Sequence, residues 1–161
     1  MIALIGVVAA VAIPMLRSEA PVALGAAAAE AANVLRTAVA EARRTGRWVL
    51  VDGTAPGRLR LYASDVSGAI LGDVNDPLTK APMELDIAAR PWRGQVALEA
   101  AFINGGIGYR QLLVGPAGQL QAFDAGVNRG ALQAGSGVVL TAGTLNAMVA
   151  IDATSGRVTS P

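Results

Sequence analysis

The sequence predicts an α+β fold: a long, kinked N-terminal α-helix with an apolar first part, packed on a small antiparallel β-sheet head. Three observations carry that expectation. The chain opens on an uncharged apolar run, continues as an Ala-rich segment with helical spacing, and changes after Gly46 to short β-type runs punctuated by Gly, Pro, Asn and Asp. A chain of 161 residues suits one head plus an appendage. The expected division is an apolar transmembrane or filament-core helix over 1–16, an amphipathic helix over 17–46 and a β-rich head over 47–161.

Composition narrows the chemistry before any element is placed. Apolar residues form 53% of the chain and charged residues 16%, so a disordered, highly charged chain is excluded and much apolar surface must be buried. Aromatics are only 4%, which leaves a core of small aliphatic side chains. The net charge of +1 gives no global attraction to nucleic acid or to an acidic membrane. Without Cys or His the chain lacks thiol nucleophiles, imidazole bases, disulfides and the usual zinc or copper ligands. We therefore expect no enzyme, no cofactor and no metal.

Met1–Leu16 reads MIALIGVVAAVAIPML, without a charge or a hydrogen-bonding side chain. Sixteen helical residues reach roughly 24 Å, short of the roughly 30 Å hydrocarbon layer. No Lys or Arg precedes Arg17, as a secretory signal or the positive-inside rule would require. Both deficits predict that the natural N-terminus lies upstream of Met1.

Over Ala20–Thr45 the apolar positions Leu24, Ala28, Ala31, Leu35, Val39 and Ala42 recur at spacings of three and four, the stripe of an amphipathic helix. Its other faces carry Glu30, Arg36, Glu41, Arg43 and Arg44. Gly46 supplies a left-handed stop, beside cations that suit the C-terminal dipole. Pro14 and Pro21 each remove a backbone donor, so kinks or a local break are expected there.

The head runs that read as strands are Trp48–Val51, Arg58–Ala63, Gln95–Ile103, Arg110–Val114, Gln119–Phe123, Gly137–Thr141, Ala147–Asp152 and Arg157–Thr159. Arg58-Leu59-Arg60-Leu61-Tyr62 alternates polar and apolar, as a sheet with one wet face requires. Ser64–Pro91 reads as a long loop with one short strand near Met83–Ile87, and as a candidate partner surface.

This order of apolar helix, Pro, Ala-rich helix and β head resembles type IV pilins and type II secretion pseudopilins. Ile5, Gly6, Val7, Val8, Ala9, Ala10, Val11, Ala12, Ile13 and Pro14 are similar to the end of their N-terminal signature. Aligned on Pro14, the family's mature N-terminus falls roughly eight residues before Met1, adding about 12 Å of helix. The leader peptide and the family's N-terminal glutamate would lie upstream. Leu35 to Gly46, followed by Trp48-Val49-Leu50-Val51, is similar to the GspH/FimT-type minor pseudopilins. Leu112 to Gly118 resembles their mid-head strand and turn, and Ser155-Gly156-Arg157-Val158 their C-terminal strand.

That resemblance implies a pilin-like fold and a structural role in the assembly or tip of a type II secretion pseudopilus or a type IV pilus. It implies a bacterial inner-membrane, single-pass protein, N-terminally methylated as the family is, with a periplasmic head. Its partners would be other pilin or pseudopilin subunits, met through the apolar helix, and the assembly machinery. A helix apolar all round exchanges lipid for neighbouring helices, and Gly6, Ala9, Ala10 and Ala12 permit close approach. Some FimT-branch relatives bind DNA through a C-terminal Gly-Arg-x-Arg motif. This chain has Gly156-Arg157-Val158-Thr159, without the second Arg. Arg43, Arg44, Arg47 and Arg157 are the candidate DNA contacts, beside Arg36; their plainer use is a solvated helix face with subunit salt bridges. A DNA-binding minor pilin is thus one alternative, and an unrelated membrane-anchored β domain another.

Three remaining features have plain structural readings. Asp73, Asp76, Glu84 and Asp86 offer oxygen ligands without an EF-hand pattern, and the Asp and Asn before Pro77 suit turns. Asn104-Gly105-Gly106-Ile107-Gly108 lacks the Lys-Ser/Thr of a phosphate loop and reads as a hairpin turn. Trp48 is expected to be buried, while Trp92, between Pro91 and Arg93, is either an interface anchor or core.

Overall fold

In a computed structural model of the chain, which describes residues 19–161, the Ala-rich segment forms α1 over Glu19–Thr45. The six stripe positions Leu24, Ala28, Ala31, Leu35, Val39 and Ala42 are all buried, joined by Ala23, Ala27, Ala32, Val34 and Ala38. The buried band is wider than the stripe because the helix lies across two sheets, and Ala lets its backbone approach both. At Gly46 the chain turns with φ +67°, its N–H donating to the Ala42 carbonyl at 3.0 Å. From Glu19 through Pro21 to Thr45 the helix is continuous, so among the described residues no break follows Pro21. The apolar helix over 1–16, its residues Ile5–Pro14 and the kink at Pro14 lie outside the described residues.

Gly25 is exposed in the middle of α1, with nothing within 4 Å of where a Cβ would stand. Gly25→Ala should therefore raise stability by about 0.5–1 kcal/mol, read as a higher urea midpoint.

The rest of the fold is antiparallel β, so the whole is α+β. The strands are β1 (Trp48–Asp52), β2 (Arg58–Ser64), β3 (Ile70–Asp73), β4 (Glu84–Asp86), β5 (Ala97–Asn104), β6 (Ile107–Tyr109), β7 (Gln111–Val114), β8 (Leu120–Asp124), β9 (Val127–Ala131), β10 (Gly137–Ala142), β11 (Leu145–Ile151) and β12 (Val158–Thr159). One sheet has the order β3-β2-β1-β7-β8-β9, with β4 also paired to β2; the other has β12-β11-β10-β5-β6. Each run read as a strand is one, with ends displaced by at most two residues.

Ser64–Pro91 departs from the expected long loop. The short strand near Met83–Ile87 is β4, followed by a 3-10 turn over Ile87–Ala89, but β3 also forms, with all four residues exposed. Its Ile70-Leu71-Gly72-Asp73 lacks alternation because neither face meets the core. The Gly105-Gly106 segment is the β5–β6 hairpin turn, both glycines at positive φ.

β1 and β7 are buried on both faces, which is why they read as continuous apolar runs. Val49, Val51, Leu112 and Val114 join α1, Leu59, Leu61, Phe102, Leu140 and Val149 in the main core. Leu50 and Leu113 face the other way, into a second cluster with Phe123 that Trp48 and Tyr62 flank. Trp48 is thus half-buried. Ser136 is a fully buried hydroxyl of the core region: its Oγ accepts from the Ile103 N–H at 2.8 Å and donates to the Gln133 carbonyl at 2.7 Å.

Candidate functional site

Three sequence features far apart in the chain meet at the C-terminal end of α1: the Arg36–Arg47 strip, the Gly115–Gly118 turn and the Ser155–Arg157 turn. β7 runs from Gln111, opposite Asp52, to Val114, opposite Val49, so the β7–β8 turn rises to the end where α1 stops. β11 delivers the β11–β12 turn to the same place. There the Arg43 guanidinium donates to the Ser155 carbonyl at 3.2 Å, and about two turns earlier Arg36 donates to the Val158 carbonyl at 3.3 Å.

Two glycines admit the Arg43 side chain. Gly118 has φ +87° and a Cβ there would stand 3.4 Å from Arg43 Nη2; Gly156 has φ +70° and its Cβ would stand 3.5 Å from Val39 Cγ1. Arg43 thus ties α1 to the β11–β12 turn and lies beside Gly118 of the β7–β8 turn. Arg36 occupies a carbonyl on the edge strand β12.

The β11–β12 turn is held by Asp152. Its Oδ1 accepts from the Thr154 and Ser155 hydroxyls at 2.7 and 2.8 Å and from their N–H groups at 3.1 and 2.7 Å. Those donors, the Thr154 hydroxyl first, hold its carboxyl well below the ordinary 3.8. With the folded value depressed, the folded state binds fewer protons than the unfolded one as pH drops below about 3.8. The stability from Asp152 is present above that pH and lost as pH falls through the depressed value. Asp152→Asn should thus be less stable than the parent at neutral pH, and the gap between their thermal midpoints should narrow below about pH 3.8. A gap independent of pH would contradict this account of the turn.

Arg44 is the candidate the structure removes to another partner. Its Nε and Nη2 donate to the two Glu41 carboxylate oxygens at 2.9 and 2.7 Å, which holds its charge on α1 and raises its pKa. Among the described residues, Arg36, Arg43, Arg47 and Arg157 form no ion pair. Arg47 and Arg157 are exposed. The arrangement can present positive charge to a polyanion.

The acidic residues of the Ser64–Pro91 region are dispersed among separate tasks. Asp73 pairs with Arg60 at 2.8 Å, and Glu84 takes Arg58. Asp86 Oδ1 caps the 3-10 turn, and Asp76 Oδ1 accepts from the N–H groups of Leu78 and Thr79, both at 2.8 Å, which depresses its pKa. Among the described residues no three of His, Cys, Asp or Glu are placed to hold a metal ion.

α1 is long and apolar enough to cross a membrane by length and composition, with a mean hydropathy of 1.2 over its best 18-residue window, yet 56% of that window is buried inside the fold. Its stripe is already committed to the head. The run Met1–Leu16 carries no such commitment in its sequence. Compared with protein-family models, with curated proteins and with solved structures, the chain gives no match.

Proposed function

We propose that the chain is a minor pilin or pseudopilin of the GspH/FimT type, a structural subunit whose work is assembly of a type II secretion pseudopilus or type IV pilus. The observation that carries this reading is the docking of α1. It is buried from Ala23 to Ala42 against both sheets, and the apolar, uncharged Met1–Leu16 precedes it with only Arg17 and Ser18 between. An element that holds the apolar run then carries the head on a stiff helix. Met1–Leu16 would be stored in the bacterial inner membrane, with the head in the periplasm, and later pack among the helices of other subunits. The convergence of the Arg-Gly, mid-head Gly and C-terminal Gly-Arg segments around Arg43 adds support, since these are the segments that resemble the family.

In cells producing the chain from its natural gene, it should appear in the inner membrane and in the filament fraction released by shear. Deletion of Ile5–Pro14 should remove it from both. A full chain found only in the soluble fraction would contradict the reading.

One observation favours a second reading, DNA binding. Arg36, Arg43, Arg47 and Arg157 lie along the C-terminal half of α1 and the adjoining β11–β12 segment, and among the described residues none of them has a carboxylate partner. With about three phosphate contacts, retention on duplex DNA should fall roughly 40-fold between 50 and 200 mM salt, and Arg157→Ala should weaken it and flatten the salt slope by about one contact. No retention at low salt would eliminate this reading.

A further inference from the structure

The opposite end of the head, where α1 begins, carries an apolar face, bordered by Glu19 and Arg93, that neither reading uses. Val22 on the first turns of α1 is 71% exposed. Beside it Pro91, Trp92 and Gln95 complete a shallow apolar hollow of about 360 Å³. Trp92 is half-buried, and its indole N–H has no acceptor among the described residues. Arg93 next to it is exposed and, among the described residues, without an ion pair, whereas Arg90 is held by Glu30 at 2.8 Å. The β10–β11 turn reaches this end as well, because Thr141 pairs with Ala97, and it brings Leu145, 42% exposed.

Position decides what meets this face. Leu16, the last residue of the apolar run, lies three residues before Glu19, which lines the hollow. Three residues span at most about 11 Å however the link runs. The polar layer on each side of the hydrocarbon is roughly 5–8 Å deep. If Met1–Leu16 is held in a bilayer, the hollow therefore stands in or against the headgroup layer. An aromatic ring half open beside apolar neighbours, and an exposed guanidinium next to it, are groups that favour that layer, where the ring meets the upper acyl chains and Arg meets phosphate.

We propose that the face built from Val22, Trp92, Arg93 and Leu145 rests on the surface of a phospholipid bilayer containing anionic lipid, and so fixes the tilt of the head while the subunit is stored in the membrane. The inference rests on the reading of Met1–Leu16 as the membrane-held segment. It gives the membrane-stored subunit a defined stance, which the subunit must leave on entering a filament.

The two tryptophans make the test clean, since Trp48 follows the far end of a helix of 27 residues, about 40 Å long. The full chain is reconstituted into phosphatidylcholine–phosphatidylglycerol vesicles, with or without bromine on the upper acyl carbons. The parent should lose Trp emission to the brominated lipid, and Trp92→Phe should lose none. Arg93→Glu should reduce the quenching in anionic vesicles and leave it unchanged in phosphatidylcholine alone. A parent chain that floats with the vesicles yet is not quenched overturns the contact and leaves the anchor standing. Equal quenching of parent and Trp92→Phe also overturns it. Trp92 unquenched in vesicles but shielded from aqueous acrylamide as protein concentration rises would assign the face to a second copy, against the proposal. A parent chain that fails to float removes the anchor reading and this proposal together.

Discussion

Leu35→Ala should lower the unfolding free energy by about 2–5 kcal/mol, toward the upper end of the range for buried leucines. Leu35 is fully buried near the middle of α1. Its neighbours one turn away on the stripe are Ala31, Ala32, Ala38 and Val39, and the three alanines have no atoms to swing into a vacated space. Much of the cavity should therefore persist. The better helix propensity of Ala offsets only a few tenths of a kcal/mol. Urea unfolding followed by Trp48 emission measures the loss, with Ala40→Gln on the exposed face as a control expected within about 0.5 kcal/mol of the parent. A loss under about 1 kcal/mol would mean that α1 is not held in one packed arrangement on the head.

Gly68→Ala should cost about 2–5 kcal/mol, for two independent reasons. Gly68 lies in the β2–β3 turn at φ +79°, a conformation that costs an L side chain roughly 1–2 kcal/mol. A Cβ there would also stand 2.1 Å from Phe123 Cζ, so either the turn or the ring must move. The ring is not free to do so, because Phe123 forms the second cluster with Leu50 and Leu113. Overpacking of that kind adds about 1–3 kcal/mol. Gly72→Ala, four residues on and with nothing within 4 Å of its Cβ, is the matched control. If both glycines tolerate Ala equally, the turn does not fold over Phe123 as described.

The helix stripe and the central strands were legible in the sequence for a common reason. Leu24 through Ala42 repeats with the helical period, and Trp48–Val51 and Leu112–Val114 are apolar on both faces because each is buried on both. β3, β6 and β9 carry no such signal. Ile70, Leu71, Ile107 and Val127 are exposed, so no burial imposes an alternating pattern, and pairing to a neighbour is what makes them strands. Turn chemistry was legible at Gly46 and at Gly105-Gly106, where left-handed φ is required.

At the cationic end, residue types were legible and their roles were not. Arg43 reads as one charge on a helix face, yet it bonds the Ser155 carbonyl with Gly118 and Gly156, 38 positions apart, both beside it in space. Local spacing holds no information about that closure. Arg44 reads as the equal of Arg43 but lies three residues from Glu41, and that spacing was the available signal for its pairing. The Asp152 turn was legible in principle, since Asp152-Ala153-Thr154-Ser155-Gly156 has the composition of a side-chain-capped turn. The ring of Trp92 packs against the core and borders the open hollow beside Val22, which local sequence could not decide.

The central claim is that Met1–Leu16 holds the protein in the membrane while α1 and the two sheets form a head that folds without it. Alkaline carbonate extraction of membranes from cells making either the full chain or a chain starting at Arg17 tests this most directly. The full chain should stay in the membrane pellet. The shortened chain should be wholly soluble, with the urea midpoint of the full-length protein. Release of the full chain by carbonate, or retention of the shortened one in the pellet, would contradict the account.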